Sequence, residues 1–327
     1  MMLSLRNFLI LTRYPLLAAR FFRANRQFPS VVFPKTYFDV MQWRKIFDHN
    51  PLFVVFSEKL ASKDHIARLC PDLHIPRTLW RGDSIEAAPP SILDGDAVVK
   101  ANHGSSMNYF IGSGDYDRSK LKYVTRKWMS QIYGASNAEW AYKHVRRCIF
   151  IEERLFGETG PLVEINIRAG RGKAWLGSLL INAKTERQSA IYLDRDAKRC
   201  GVLLGRGVNP AELDNVYAPA AYQDAVRYAE LLSLDIDYAR FDFFWTGSRL
   251  YAGEITPYPA SGYSAGQPVA DLLWRNWDIR SSWFMQTRFS GWRSRYQAQL
   301  LEHLERIRPT TEPPPAGRPA RPSKIGQ

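Results

Sequence analysis

Within residues 241–245 every position except Asp242 is apolar, and residues 250–255 repeat the pattern with Glu254 as the only charge. Short apolar runs of this kind predict buried β-strands. The intervening Thr246-Gly247-Ser248 is a turn signal, so the two runs are expected to pair as an antiparallel hairpin. Pairing about that turn sets residue 242 roughly opposite residues 252–254 and brings the two carboxylates within reach of one cation. A carboxylate buried without a partner is costly. A shared metal ion answers that need for both acids; the alternative is that Asp242 pairs with Arg240 and Glu254 caps a loop.

The same patterning predicts strands over 97–99, 109–111, 162–167 and 174–181, the last two joined by a turn at Gly170-Arg171-Gly172. Residues 31–95 alternate helical stretches with turns, and Pro89-Pro90 through Gly95 marks a passage into a new region. Helices are expected across 117–146, the second beginning at Ala138 and ending near Arg147. Another over 219–232 carries Ala221, Ala225, Tyr228, Ala229 and Leu232 on one side, and a last one spans 293–307. Residues 308–327 are too rich in proline and polar residues to form a core and are expected to be disordered. No internal repeat is visible.

Residues 97–106, AVVKANHGSS, read as a strand that delivers Lys100 into a loop of small polar residues. An amine, a loop able to lie close over phosphates, and two carboxylates able to hold Mg²⁺ are what a nucleoside triphosphate requires. The segment is not a Walker loop, in which the lysine follows the last glycine and opens a helix. Read alone, it is equally an ordinary polar hairpin.

Taken in order, VVKANHGSSMNYFI, CIFIEERLF (148–156), RFDFF and LYAGEITPYPASG (250–262) resemble the ATP-grasp superfamily, and closely its teichuronopeptide-biosynthesis-like (TupA-like) branch. PKTYFDVMQWRKIFDHNPLF (34–53) and SKDHIARL (62–69) extend the resemblance over residues about 34–270. It implies an α+β ATP-grasp fold, two subdomains clamping ATP, behind a helical N-terminal extension. The implied boundaries are a basic segment over 1–33, a pre-grasp region over 34–95, a small lid over 96–155 and a large subdomain over 156–307. Lys100 matches the lysine that contacts nucleotide phosphates, and His103, Gly104, Ser105 and Ser106 match the loop closing over them. Glu152, Glu153 and Leu155 match the hinge that holds adenine and ribose, and Asp242 and Glu254 match the two metal-holding acids.

The chain departs from the superfamily pattern in places. Thr256 stands where many members have asparagine, as this branch tends to have. Asn166 stands where a basic residue is common, with Arg168 two positions later on the same strand face. The branch's usual Asp-Lys pair appears reversed as Lys63-Asp64. Arg168 and Arg240 are the candidate catalytic cations, and Lys63 a further ATP contact. Tyr258, Ser261, Tyr263 and Gln267 follow the second acid and are candidates for an acceptor pocket, although such a loop is as often plain connection.

The resemblance implies an ATP- and Mg²⁺-dependent carboxylate–amine ligase of cell-surface polysaccharide assembly. It would work through an acyl phosphate, joining an amino acid or other amine to a glycan or lipid-linked glycan acid. A sugar phosphotransferase using the same ATP site, or a non-catalytic nucleotide-binding protein, are the alternatives. Composition agrees with a cytoplasmic enzyme: 327 residues, 45% of them hydrophobic, are enough for a sizeable core. Three widely spaced cysteines argue against a disulfide framework, and six histidines without a CxxC pair argue against zinc. No GxSxG elbow or other nucleophile motif is present.

A net charge of +13 asks for an anionic partner. Arg6, Arg13, Arg20, Arg23 and Arg26 lie among leucines and phenylalanines with no acid in the first 30 residues. The seven-residue spacing of Arg6, Arg13 and Arg20 predicts one basic face of a helix broken near Pro15, which suits an anionic membrane over residues 1–28. Packing of its apolar side on the domain is the competing expectation. The longest apolar stretch, residues 7–12, is too short to span a bilayer, and the segment lacks the small-residue cleavage site of a secretory signal. Nucleic acid is not expected, since the basic residues are not gathered around stacking aromatics.

Overall fold

A computed structural model describes residues 2–112, 116–158, 162–183, 185–214, 216 and 218–308. The Pro-rich stretch after residue 308, expected to be disordered, lies outside the described residues. The chain opens with helices α1 (Met2–Arg13) and α2 (Pro15–Asn25), separated at Tyr14 because Pro15 can begin a helix but not continue one. Leu17, Ala18 and Phe21 form the buried face of α2. Asn7 fixes α1, donating to the Pro29 carbonyl at 2.9 Å and accepting from the Val32 N–H at 3.2 Å. The guanidinium of Arg20 is held by Ser136 Oγ at 2.8 Å and by Asn137.

Helix α3 (Tyr37–Phe47) is capped by Thr36 and buried along nearly its whole length, charged residues included. Arg44 explains how. Its guanidinium meets Asp237 at 2.6 Å and the carbonyls of Tyr238 and Pro257 at 2.8 and 3.0 Å, beneath the rings of Phe53 and Trp277. Asn50 caps the next helix, α4 (Pro51–Ser57), and α5 (Lys59–Leu69) follows directly.

A small antiparallel sheet comes next, in the order β1-β4-β2-β3. Its strands are β1 (Thr78–Gly82), β2 (Ala97–Ala101), β3 (Asn108–Ile111) and β4 (Ile149–Glu153), with α6 (Pro90–Leu93) and α7 (Arg118–Ser130) between them. One face, with Ala97, Val99, Ala101, Ile149 and Ile151, packs into a core with Leu121 of α7. The sheet therefore begins at Thr78, ahead of the expected lid boundary at 96, because β1 pairs along β4. The helix expected over 138–147 is replaced by tight 3-10 turns at Ala135–Asn137 and Trp140–Lys143. Left-handed backbone at Gly134 and Ala138 breaks the helical path, and Trp140 stacks on His49 with ring centres 4.6 Å apart.

The large antiparallel sheet runs β10-β9-β5-β6-β7-β8. Its strands are β5 (Val163–Gly170), β6 (Lys173–Ile181), β7 (Ser189–Leu193), β8 (Arg199–Leu203), β9 (Ala239–Trp245) and β10 (Leu250–Thr256), with α8 (Tyr222–Leu232) between β8 and β9. Ile165, Ile167, Leu179, Ile191, Phe241 and Phe243 line its buried face. Gly177 lies on that face because a Cβ there would fall 2.0 Å from the Tyr222 hydroxyl of α8. Helices α9 (Gln267–Asn276) and α10 (Trp283–Gln286) complete this unit. Residues from Arg288 form a separate unit whose described part contains α11 (Trp292–Ile307).

Candidate nucleotide and metal site

The other face of the large sheet carries a polar patch, and strand register explains its composition. Asp242 pairs with Asn166, Asn166 with Ser178, and Ser178 with Tyr192, so one row crosses four strands on a single face. Arg240 pairs with Arg168 in the neighbouring row. Glu254 joins through an irregularity: the β9–β10 register shifts between Ala252 and Ile255, leaving Gly253 and Glu254 together opposite Asp242. Such a bulge turns Glu254 onto the face of Asp242. Residue 253 must be glycine there, because a Cβ would stand 2.7 Å from the Asp242 carbonyl oxygen.

Arg240 donates to both Asp242 oxygens, each at 2.6 Å. That is the pairing the sequence offered as an alternative to a metal. Arg168 lies beside it, donating to Ser178 Oγ at 3.2 Å. Burial pushes the Asp242 carboxyl above the usual aspartate range despite Arg240, and Glu254 adds to the rise. Burial acts the same way on Glu254, but Lys59 and Lys100 outweigh it and hold that carboxyl low.

On the small sheet, Lys100 and Glu152 share a face and form an ion pair, and Lys63 of α5 completes it at 2.7 Å from Glu152. Burial lowers the Lys63 pKa in spite of Glu152. Glu153 turns away instead, because successive strand residues alternate sides, and is held by the Arg77 Nε at 3.0 Å and backbone N–H at 2.9 Å. Leu155 is half-buried just beyond β4. His103 is also turned away. Its ring is buried with Nε2 2.9 Å from the Trp128 carbonyl, so the imidazole is directed into the core and not toward the open side of the loop. Ser106 is exposed at φ 59°, Ser105 half-exposed, and the Gly104 carbonyl accepts from Lys59.

Lys59 went unnoticed in the sequence, where no motif marks it. Its Nζ lies 3.2 Å from Glu254 while it also holds Gly104, so one amine links the loop after Lys100 to the second acid. Asn102, likewise overlooked, fastens the loop from below. Its side chain donates to Glu58 and the Arg146 carbonyl and accepts from the Leu60 N–H.

Of the candidate acceptor residues, Tyr258 is buried edge-on against Phe53. Gln267 is tied to Asp271 at 2.7 Å. Ser261 accepts from Lys45 at 2.9 Å, and that amine lies 4.4 Å from the Tyr263 ring. Burial drives Lys45 down to about 7 against the pull of Glu139.

Among the described residues no group of three or more acids, histidines or cysteines is placed to hold a metal alone. Two carboxylates on one face nonetheless suit Mg²⁺, which keeps several waters and is commonly bound by one or two carboxylates together with substrate phosphates. Bidentate contact with Arg240 leaves further lone pairs on both Asp242 oxygens. Lys100→Ala is expected to weaken ATP binding by about tenfold or more in calorimetry, the scale of one charge-assisted hydrogen bond. Lys63 remains to neutralise Glu152 in that variant, so an unaltered melting curve with unaltered affinity would remove Lys100 from the site.

A family model described as TupA-like ATPgrasp matches residues 39–272. No curated protein matches the chain. Among solved structures, the D-alanine–D-alanine ligase of Helicobacter pylori is similar at 16% identity and TM-score 0.43, over 75% of this chain and 70% of that one. The Bacillus anthracis D-alanine–D-alanine ligase complexed with ATP is similar at 17% identity and TM-score 0.38, over 66% of this chain; the match spans 60% of that ligase's length. The ATP-grasp ligase PsnB, complexed with a minimal precursor, Mg and ADP, is similar at 10% identity and TM-score 0.36, over 81% of this chain and 65% of that one.

Proposed function

Since the chain belongs to the TupA-like ATP-grasp family, we propose that it is an ATP- and Mg²⁺-dependent ligase that joins the amine of an amino acid or similar molecule to a carboxylate on a cell-surface glycan or its lipid-linked precursor. The observation that carries this reading is Lys59, whose amine meets Glu254 beside the Asp242–Arg240 pair while also holding the Gly104 carbonyl in the loop that follows Lys100. Cations and acids face one another there, which suits transfer of a phosphoryl group by positioning and charge neutralisation.

In the proposed reaction an oxygen of the acceptor carboxylate attacks the γ-phosphorus of ATP, and the bond to the β-bridging oxygen breaks to release ADP. The amine then adds to the acyl carbon, phosphate leaves with its bonding pair, and the ammonium proton passes to solvent or phosphate. Lys100 would hold the phosphate oxygens. The Ser105-Ser106 turn would present backbone N–H groups over them, and Arg168 and Arg240 would face the charge developing on the transferred group. Mg²⁺ held by Asp242 and Glu254 would supply charge neutralisation between the terminal phosphates.

The test is ADP and phosphate release across a panel of uronic acids, acidic oligosaccharides and amino acids, with mass spectrometry of the product. An amide with equal ADP and phosphate supports a ligase. A phosphorylated glycan with ADP and no free phosphate would replace it with phosphotransfer to a hydroxyl. Because Asp242 must be ionised to bind a cation and burial raises its pKa, the rate is expected to fall as the pH is lowered through that raised value. The decline should begin above the range of an ordinary aspartate, and excess Mg²⁺ should move it to lower pH.

A further inference from the structure

Helices α1 and α2 have two apolar sides, and only one is covered. The inner side holds Leu11, Leu17, Ala18 and Phe21, all buried. On the outer side Leu5, Phe8, Leu9, Leu16, Phe22 and Phe28 are each between 42% and 63% exposed. Leu5, Phe8 and Leu9 lie on one face of α1, on the other side of the helix from Asn7, which ties α1 to the domain. The Phe22 and Phe28 rings contact one another at 5.0 Å at the end of α2, so this aromatic surface is shaped without being hidden.

The charge beside these side chains has one sign. The exposed Arg13, Arg23 and Arg26 make no ion pair among the described residues, and the first acid of the sequence is Asp39. Arg20 is excluded from this group because it is spent on Ser136 and Asn137. An uncovered apolar face bordered by unpaired arginines, with no carboxylate of its own before Asp39, matches the boundary between anionic headgroups and acyl chains. No helix of the described residues is long and apolar enough to cross a membrane, so the contact would lie in the plane of the surface.

We propose that the outer face of α1 and α2 docks on an anionic phospholipid bilayer, with the leucines and phenylalanines entering the headgroup boundary and Arg13, Arg23 and Arg26 meeting lipid phosphates. The proposal does not depend on which acid or amine the enzyme uses.

The test is co-sedimentation of the full chain with vesicles of phosphatidylglycerol and phosphatidylcholine in equal parts, beside vesicles of phosphatidylcholine alone. At low salt the protein is expected to pellet with the first and remain in solution with the second, and added salt should release it. Arg13→Gln, Arg23→Gln and Arg26→Gln combined should lower the partition coefficient by roughly 100-fold, at about fivefold for each arginine. Leu5→Gln, Phe8→Gln and Leu9→Gln combined should also reduce it, and should keep most of the parent stability because more than half of each of these residues is exposed. Protein remaining in the supernatant with both vesicle types at low salt would overturn the proposal. So would wild-type binding by both triple variants. Concentration-dependent self-association that the apolar triple variant abolishes, with vesicle binding intact, would assign the face to a second copy of the chain instead.

Discussion

Asp242→Asn is expected to reduce ATP turnover by about 100-fold or more, the scale seen when one preorganised charge contact to a transferring group is lost. The substitution keeps the size of the side chain and one oxygen for Arg240, but removes the charge that would hold a cation. ADP release should therefore fall close to background while the circular dichroism spectrum and melting profile remain those of the parent. The raised pKa of Asp242 bears on the fold as well. A group whose folded-state pKa lies above its unfolded value favours the native state below the unfolded pKa and loses that benefit as pH rises through the folded one. At neutral pH the ionised carboxylate is thus held at a cost to the fold, so loss of activity without loss of stability is the expected signature. A variant that melts well below the parent, or turns over ATP normally, would remove Asp242 from the metal site.

Arg44→Met should have the largest effect on stability, about 3–5 kcal/mol, the range for breaking a buried ion pair from one side. Methionine fills much of the same space but leaves Asp237 without the guanidinium, with the Trp277 indole N–H still donating to it at 2.7 Å. The carbonyls of Tyr238 and Pro257 lose their donor at the same time. These carbonyls lie just before β9 and just after β10, so Arg44 clips the open ends of the hairpin that carries Asp242 and Glu254. Urea denaturation should show a lower midpoint with an unchanged slope. Weaker Mg²⁺ dependence in the surviving folded fraction would follow from a loosened hairpin. A midpoint shift below 1 kcal/mol would mean the pair is offset elsewhere.

The acid hairpin could be read in advance because an acid inside a short apolar strand is costly, and two such strands about Thr246-Gly247-Ser248 have few ways to pair. Register was harder. Alternation alone would separate residues 253 and 254 onto opposite faces, and the bulge that reorients Glu254 follows from the close approach of Gly253 to the Asp242 carbonyl, which no local pattern announces. His103 illustrates a second limit. A polar residue in a loop over a cleft resembles a ligand contact, yet packing under α7 buries its ring against the Trp128 carbonyl. Lys59 was invisible for the opposite reason, since a lysine at the start of a surface helix is ordinary until the fold carries Gly104 and Glu254 to it. Residues 138–147 favour a helix locally, but the stacking of Trp140 on His49 and the left-handed residue at 138 outweigh a propensity worth only tenths of a kcal/mol per residue.

The membership of β1 in the small sheet bears on how such enzymes can be recombined. A lid cut from this chain at residue 96 and grafted onto a relative would leave behind the strand that covers β4, exposing a row of unpaired N–H and C=O groups from Ile149 to Glu152. Bare edges of that kind invite pairing with other chains and aggregation. A graft that starts ahead of Thr78 carries its own protected edge, together with the Arg77 contact that fixes Glu153. The interchangeable part is thus longer than the segment from Lys100 to Ser106, and the junction for a chimera belongs in the segment between α5 and β1.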